Sequence, residues 1–185
     1  GLMFSDRITT VSPTYAREIL TPDVGMGLEG VLQARAPVLS GVLNGIDTDA
    51  WNPADDTSLA EPYDAKSLKR KAANRAALSE RLGLDTGSTG PLFCVVSRLT
   101  SQKGLDAVLG AVPHLVERGA QLAVLGTGQP ELEQGFRDAA RDTPGQVATH
   151  IGYDEPLSHL FQAGSDAILI PSRFEPCGLT QLYGL

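Results

Sequence analysis

The chain has 185 residues, 42% of them hydrophobic and 20% charged, with a formal net charge of −7 at pH 7. That length holds one sizeable domain, or one domain and part of another, and the acidic balance excludes a broad binding surface for nucleic acid or anionic lipid while leaving room for a local basic site. Two cysteines, Cys94 and Cys177, stand without C-x-x-C spacing, which excludes a disulfide framework and fits a reducing compartment. The apolar runs fall far below the roughly 18 residues of a membrane span. No start Met, signal or transit segment opens the chain, and the expected setting is the cytoplasm.

Ile8–Ser12 reads as a short strand and Pro13–Leu20 as a helix, with Ser12 at its N-cap and Pro13 at its first position. Thr21–Gly27 reads as a glycine-rich loop, followed by a short helix over Leu28–Arg35 and a strand over Val38–Leu43. Asn44-Gly-Ile-Asp47 is a turn signal, and the residues around Asn52-Pro53-Ala-Asp-Asp56 form an extended connector. A long helix is expected over Ser67–Leu84, ending near Gly83.

From Pro91 the pattern becomes regular. Strand Leu92–Val96 precedes helix Leu105–Arg118, where Leu105, Val108, Leu109, Val112, Leu115 and Val116 follow helical spacing. Pro113 should bend that helix. Strand Gln121–Leu125 leads to helix Pro130–Arg141, and strand Val147–Ile151 to helix Glu155–Ala163. Strand Ala167–Ile170 leads to a last helix starting near Thr180. Strands alternating with helices of this length predict an α/β fold, a Rossmann-like parallel sheet flanked by helices. Residues 41–185 form most of that domain and residues 1–40 the tail of a preceding one, with Asn44-Gly45 near the hinge.

Ligands of open α/β sheets sit beyond the carboxyl ends of the strands, so the loops there carry the candidate chemistry. Ser97-Arg98-Leu-Thr-Ser-Gln-Lys103-Gly104 places Arg98 and Lys103 five apart across a strand-to-helix turn, where both can reach one anion. A diphosphate leaving group needs such convergent donors; two solvated cations at a loop rim are the alternative. Gly126-Thr-Gly128 lets a ligand approach the backbone, or only makes a tight turn, and it lacks the full G-x-G-x-x-G of a dinucleotide site. Tyr153 could stack on a base or pack, and Asp154 reads as the N-cap of the next helix. Glu175 could stabilise an oxocarbenium-like centre or bind sugar hydroxyls, or be a solvated loop residue. Cys177 reads as a small, partly buried hydrophobe more readily than a nucleophile. His114, His150 and His159 show no metal-ligand spacing, so no metal site is expected. A helix starting near Thr180 would aim free N–H groups at an anion.

Ser12-Pro-Thr-Tyr-Ala16, Gly27-Leu-Glu-Gly30, Leu43-Asn-Gly-Ile-Asp47, Trp51-Asn-Pro53, Ser97–Thr100 with Gln102-Lys-Gly104, Leu125-Gly-Thr-Gly128, Gly152-Tyr-Asp-Glu155 and the long run Pro171–Leu185 together resemble the bacterial glycogen synthase and plant starch synthase family. The resemblance covers essentially the whole chain in order, and its terminal run is highly specific. It implies a GT-B fold of two Rossmann-like domains and a retaining transfer of α-D-glucose from ADP-glucose to the non-reducing 4-OH of an α-1,4-glucan such as glycogen. It implies no cofactor beyond that donor, and no nucleic-acid or membrane partner. Carried over by motif, Arg98 and Lys103 contact the donor diphosphate, Tyr153 stacks on adenine and Glu175 touches the transferred glucose. Cys177, Gly178, Leu179 and Thr180 surround the sugar and phosphates, and Asn44 reaches the cleft.

The Lys-Thr-Gly-Gly-Leu segment and the N-terminal-domain histidine of that family do not occur here, so the sequence is expected to be an internal fragment, inactive by itself. Related glycosyltransferases place a second Glu eight residues after the first, where this chain has Tyr183. The rival reading is a nucleotide- or glycan-binding module without catalysis. A dinucleotide oxidoreductase is disfavoured by the missing fingerprint.

Overall fold

The computed structural model describes residues 1–184. They divide into two units, Gly1–Ile46 with Glu175–Leu179, and Asp47–Phe174 with the residues from Thr180 onward.

In the first unit, strands β1 (Ile8–Thr10) and β2 (Leu39–Gly41) pair in parallel, Ile8 opposite Leu39 and Thr10 opposite Gly41. Helix α1 (Pro13–Glu18) starts as its sequence requires, with the Ser12 hydroxyl accepting the Tyr15 N–H at 2.9 Å and Pro13 where no donor is needed. The stretch expected to be only a glycine-rich loop contains a helical turn, α2 (Pro22–Gly25), stopped by Met26 and Gly27 at φ 52° and 81°. Pro22 pre-sets the first helical φ, which is why this turn winds despite its glycines. Helix α3 (Glu29–Ala34) follows. Ile8, Ala16 and Leu32 are the buried apolar side chains of this unit.

The second unit opens with a connector and a 3₁₀ turn, Leu68–Arg70, ahead of helix α4 (Lys71–Leu82). The expected helix from Ser67 therefore starts late. Ser67 is held in a turn with Asp64, its hydroxyl donating to Oδ1 at 2.7 Å, and that local bond competes with helix. Gly83, at φ 69°, closes α4. Strands β3 (Leu92–Val96), β4 (Gln121–Gly126), β5 (Val147–Ile151) and β6 (Ala167–Ile168) alternate with α5 (Leu105–Glu117), α6 (Pro130–Asp142) and α7 (Glu155–Gly164), and α8 (Leu179–Tyr183) comes last. All pairings are parallel, in the order β5-β4-β3-β6. Strand β6 is shorter than expected. It pairs only through Phe93↔Ala167 and Cys94↔Ile168, and after one further bond from Leu169 N–H to Cys94 O it turns away into the loop.

The sheet is covered on both faces, as parallel sheets require. Alternation along β3 and β4 sends Leu92, Cys94, Ala123 and Leu125 toward α4 and α7, with Leu78, Leu157 and Phe161. Val95, Leu122 and Val124 point the other way, toward Val108 and Val112 of α5 and Phe136 of α6. Phe136 and Phe161 are fully buried. Two apolar layers on one sheet make its strand ends rigid, and the loops at those ends carry the site.

Candidate functional site

The strand order places the crevice. The chain enters the sheet at β3, moves outward through β4 and β5, then crosses back to lay β6 on the other side of β3. The connections leaving the carboxyl ends of β3 and β6 thus depart in opposite directions, which opens a gap at the switch point. The loop after β3 is Ser97–Gly104, and the loop after β6 starts at Leu169.

These two loops are tied together. The Arg173 N–H donates to Gln102 O at 3.0 Å, and Gln102 Nε2 donates to Phe174 O at 2.7 Å. The Arg173 guanidinium bonds the Ser101 carbonyl and grips Asp106 in the first turn of α5 with two nitrogens, at 2.8 and 2.6 Å. That guanidinium holds the Asp106 carboxyl well below the ordinary range, at about 2. Gly104 allows the close approach: it sits at φ 70°, and a Cβ there would overlap the Pro171 carbonyl oxygen.

A cavity of about 350 Å³ lies at these strand ends, within the range of small-molecule sites. Val96, Ser97 and Arg98 line it from the end of β3, and Leu125, Gly126 and Thr127 from the end of β4. Gly152–Glu155 close it after β5, Ser158 and Gln162 come from α7, and Trp51, Thr180 and Tyr183 complete the wall. The Gly126-Thr-Gly128 turn is explained by backbone crowding, since a Cβ on Gly126 would overlap the Ser97 carbonyl oxygen. Glu133, in the first turn of α6, fastens this turn by accepting from the Thr127 hydroxyl at 2.6 Å and the Gly128 N–H at 2.9 Å. Those bonds, the hydroxyl's first, lower the Glu133 pKa.

Of the residues singled out in the sequence, Arg98, Tyr153 and Thr180 meet around this cavity. Arg98 is exposed, with Nη2 3.4 Å from the Gln102 side-chain oxygen. Tyr153 is 85% exposed, so it does not pack in the core, and its ring is open to a planar ligand. Its hydroxyl donates to Glu155 at 3.0 Å, and that bond, then the Glu155 charge, raises the Tyr153 pKa. Asp154 is the N-cap of α7 as expected, accepting the Leu157 N–H at 2.9 Å. Lys103 lies in the same turn as Arg98, half-buried, with its N–H bonded to Thr100 O at 3.1 Å, and is not one of the residues lining the cavity.

Asn44, Glu175, Cys177, Gly178 and Leu179 belong to the first unit. Asn44 is exposed in the extended stretch after β2; Glu175, Cys177 and Leu179 are half-buried, and Gly178 is buried at φ 84°. Cys94 is an inert structural thiol, fully buried and pushed up to about 11 by burial. Sequence reasoning gave no role to Trp51, Ser158 and Gln162. Trp51 could have been found, as the chain's one tryptophan, set in an otherwise polar connector; Ser158 and Gln162 carry no signal beyond their helix.

The geometry has close counterparts among known proteins. The starch synthase catalytic domain profile matches residues 1–34, and the profile of glycosyl transferases group 1 matches residues 77–182. The chain is 64% identical over all 185 residues to a glycogen synthase of Roseobacter denitrificans and 58% identical to one of Rhodopseudomonas palustris. It spans 39% and 38% of their lengths. The catalytic domain of starch synthase IV from Arabidopsis thaliana, solved bound to ADP and acarbose, superposes on 99% of the chain with a TM-score of 0.92 and 40% identity, the overlap being 38% of that chain. The resemblance carried by the motifs and the α/β fold with its parallel sheet are both borne out by these relatives. Because the group 1 match takes in the whole four-stranded sheet and every loop at its carboxyl end, the chain belongs to the group 1 glycosyl transferase family.

Proposed function

We propose that this chain supplies the donor site of a glycogen synthase that transfers α-D-glucose, with retention, from ADP-glucose to the non-reducing 4-OH of an α-1,4-glucan. The observation that carries the reading is the convergence of Arg98, Tyr153 and Thr180 on one cavity at the topological switch point. Identity to glycogen synthases along the whole chain supports it.

In this reading Tyr153 stacks on the adenine, which every exposed aromatic face favours. Arg98 and Lys103 meet the diphosphate. As the glycosyl–oxygen bond breaks, negative charge gathers on the departing ADP, and donors fixed in advance stabilise that charge more than they stabilise the intact donor. Thr180, with Cys177, Gly178 and Leu179, surrounds the sugar and phosphates. Glu175 lies beside the transferred glucose and Asn44 lines the cleft. The chemistry calls for no cofactor beyond the donor itself. No helix among the described residues is long and apolar enough to cross a membrane, and the cytoplasm is the proposed setting.

Calorimetric titration of the chain with ADP, UDP and NAD tests the donor site. ADP is expected to bind at least tenfold more tightly than NAD, and binding should weaken at least tenfold in Tyr153→Ala. Equal affinity for all three would overturn the reading. Glucosyl transfer from ADP-glucose to glycogen, measured in a protein of the relatives' full length, separates an enzyme from a binding module.

A further inference from the structure

Trp51 sits in the connector between Asp47 and Ser67, where no strand or helix holds it, yet its ring stacks on two others. Its indole stacks on the His159 imidazole of α7 with centroids 3.8 Å apart and planes 16° apart. It stacks on the Tyr183 ring of α8 at 4.0 Å and 9°. Two rings at those separations cannot share one face of an indole without overlapping each other. The indole is therefore sandwiched, one ring on each face.

His159 is itself anchored. Its Nδ1 lies 2.5 Å from Asp56 Oδ2, and both side chains are less than a tenth exposed. Asp56 comes from the same connector as Trp51, and its other oxygen accepts the Ser58 N–H at 2.8 Å. The connector thus grips α7 twice, once by stacking and once by a buried hydrogen bond, and reaches α8 through the far face of the indole.

Helix α8 needs such a hold. It has five residues, none of them buried, and a helix of that length does not persist in water without tertiary support. Thr180 and Tyr183, on this short helix, line the cavity beside Trp51.

We propose that Trp51 is a positioning residue for the donor cavity: clamped between His159 and Tyr183 and backed by the Asp56–His159 bond, it fixes α8 and so places Thr180 against the ligand. The link to a ligand rests on the reading of the cavity as a nucleotide-sugar site. The clamp itself does not.

The test compares Trp51→Leu, which keeps apolar bulk but loses the stack, with Trp51→Phe, which keeps a stacking ring. Tyr183→Leu and Tyr183→Phe form the same pair on the other side of the clamp and serve if a Trp51 variant fails to fold. Amide hydrogen exchange and ADP titration are measured on the full chain. In either Leu variant, exchange at residues 180–183 should accelerate at least tenfold and ADP affinity should fall at least tenfold, while amides of β3 and β4 stay as protected as before. The Phe variants should stay within threefold of the unaltered chain in both measurements. Unchanged exchange at residues 180–183 in the Leu variants overturns the clamp. Accelerated exchange with ADP affinity unchanged overturns its role in binding. If the unaltered chain binds no ADP while exchange still separates Leu from Phe, the donor-site reading fails and the clamp stands.

Discussion

The guanidinium of Arg173 meets the carboxylate of Asp106 through two nitrogens, Nη1 to Oδ1 at 2.8 Å and Nη2 to Oδ2 at 2.6 Å, joining the loop after β6 to the first turn of α5. This is the two-pronged geometry in which arginine binds carboxylates best. It is one of several bonds that join the two loops bearing the candidate chemistry.

The pair makes a prediction about acid. The folded-state pKa of Asp106 lies at about 2, below its ordinary 3.8. A depressed carboxyl pKa contributes stability that is present above the ordinary value and is lost as pH falls through the folded one. The Arg173–Asp106 pair should therefore stay intact at pH 4 and be lost as pH drops toward 2, while the Arg173–Gln102 and Gln102–Phe174 bonds, which do not titrate, still join the loops. Carbon-detected NMR of the Asp106 carboxyl should show a midpoint near 2, returning toward the ordinary value in Arg173→Ala. An unchanged midpoint in that variant would assign the depression to something other than Arg173.

A second prediction concerns the connector that carries Trp51. The Asn74 side chain is completely buried in α4, accepts the N–H groups of Ala60 and Glu61 at 2.9 and 3.2 Å, and donates to Glu61 O at 2.7 Å. One amide thus satisfies three backbone groups of a segment that has no ladder of its own. Asn74→Ala removes all three bonds and should lower unfolding stability by about 1–3 kcal/mol, read from urea denaturation. Asn74→Asp keeps the acceptor but sets a buried carboxylate against the Glu61 carbonyl, and at neutral pH it should cost at least as much. Equal stability in all three proteins would show the connector to be held elsewhere.

The regular half of the fold was legible in the sequence because its signals are local. Leu92–Val96 and Val147–Ile151 are strands at the expected residues, since a short β-branched run bounded by turns has one low-energy use in an alternating α/β pattern. Arg98 and Tyr153, which line the cavity, were readable as candidates because both stand just after such strands. The connector was not legible. Its order comes from side-chain partners in other elements, Asn74 for Ala60 and Glu61 and His159 for Asp56, and periodicity carries no signal for such bonds, the last of which spans 103 residues. The same reason hid the stacking of Trp51, whose partners lie more than a hundred residues away.

Arg98 tests the leaving-group chemistry. In a protein of the relatives' full length, Arg98→Ala should lower kcat about a hundred- to a thousandfold and leave the glycogen KM nearly unchanged. The loss of one preorganised donor to a charge that develops in the transition state costs about 2.7–4 kcal/mol. Arg98 is exposed at the cavity wall and is not part of the core, so the melting temperature should hardly move. A change confined to the glycogen KM would give Arg98 a role at the acceptor instead.

Glu175 tests the reaction centre. It lies between Phe174 and Pro176, half-buried, in the loop that follows β6. If its carboxylate carries the transferred glucose through an oxocarbenium-like state, the charge is what acts, and Glu175→Gln removes the charge while keeping size and most hydrogen bonding. A contribution made only in the transition state lowers kcat and kcat/KM together and leaves ground-state binding alone. In a full-length enzyme, the Gln variant should therefore turn over ADP-glucose at least tenfold more slowly and bind ADP with nearly parental affinity. If Glu175 instead only shapes the loop ahead of Pro176, the Gln variant should be nearly silent in kinetics and Glu175→Ala should act through the melting temperature. Steady-state rates, ADP titration and thermal melts on both variants separate the two cases. Near-parental kcat in Glu175→Gln removes this residue from the catalytic set.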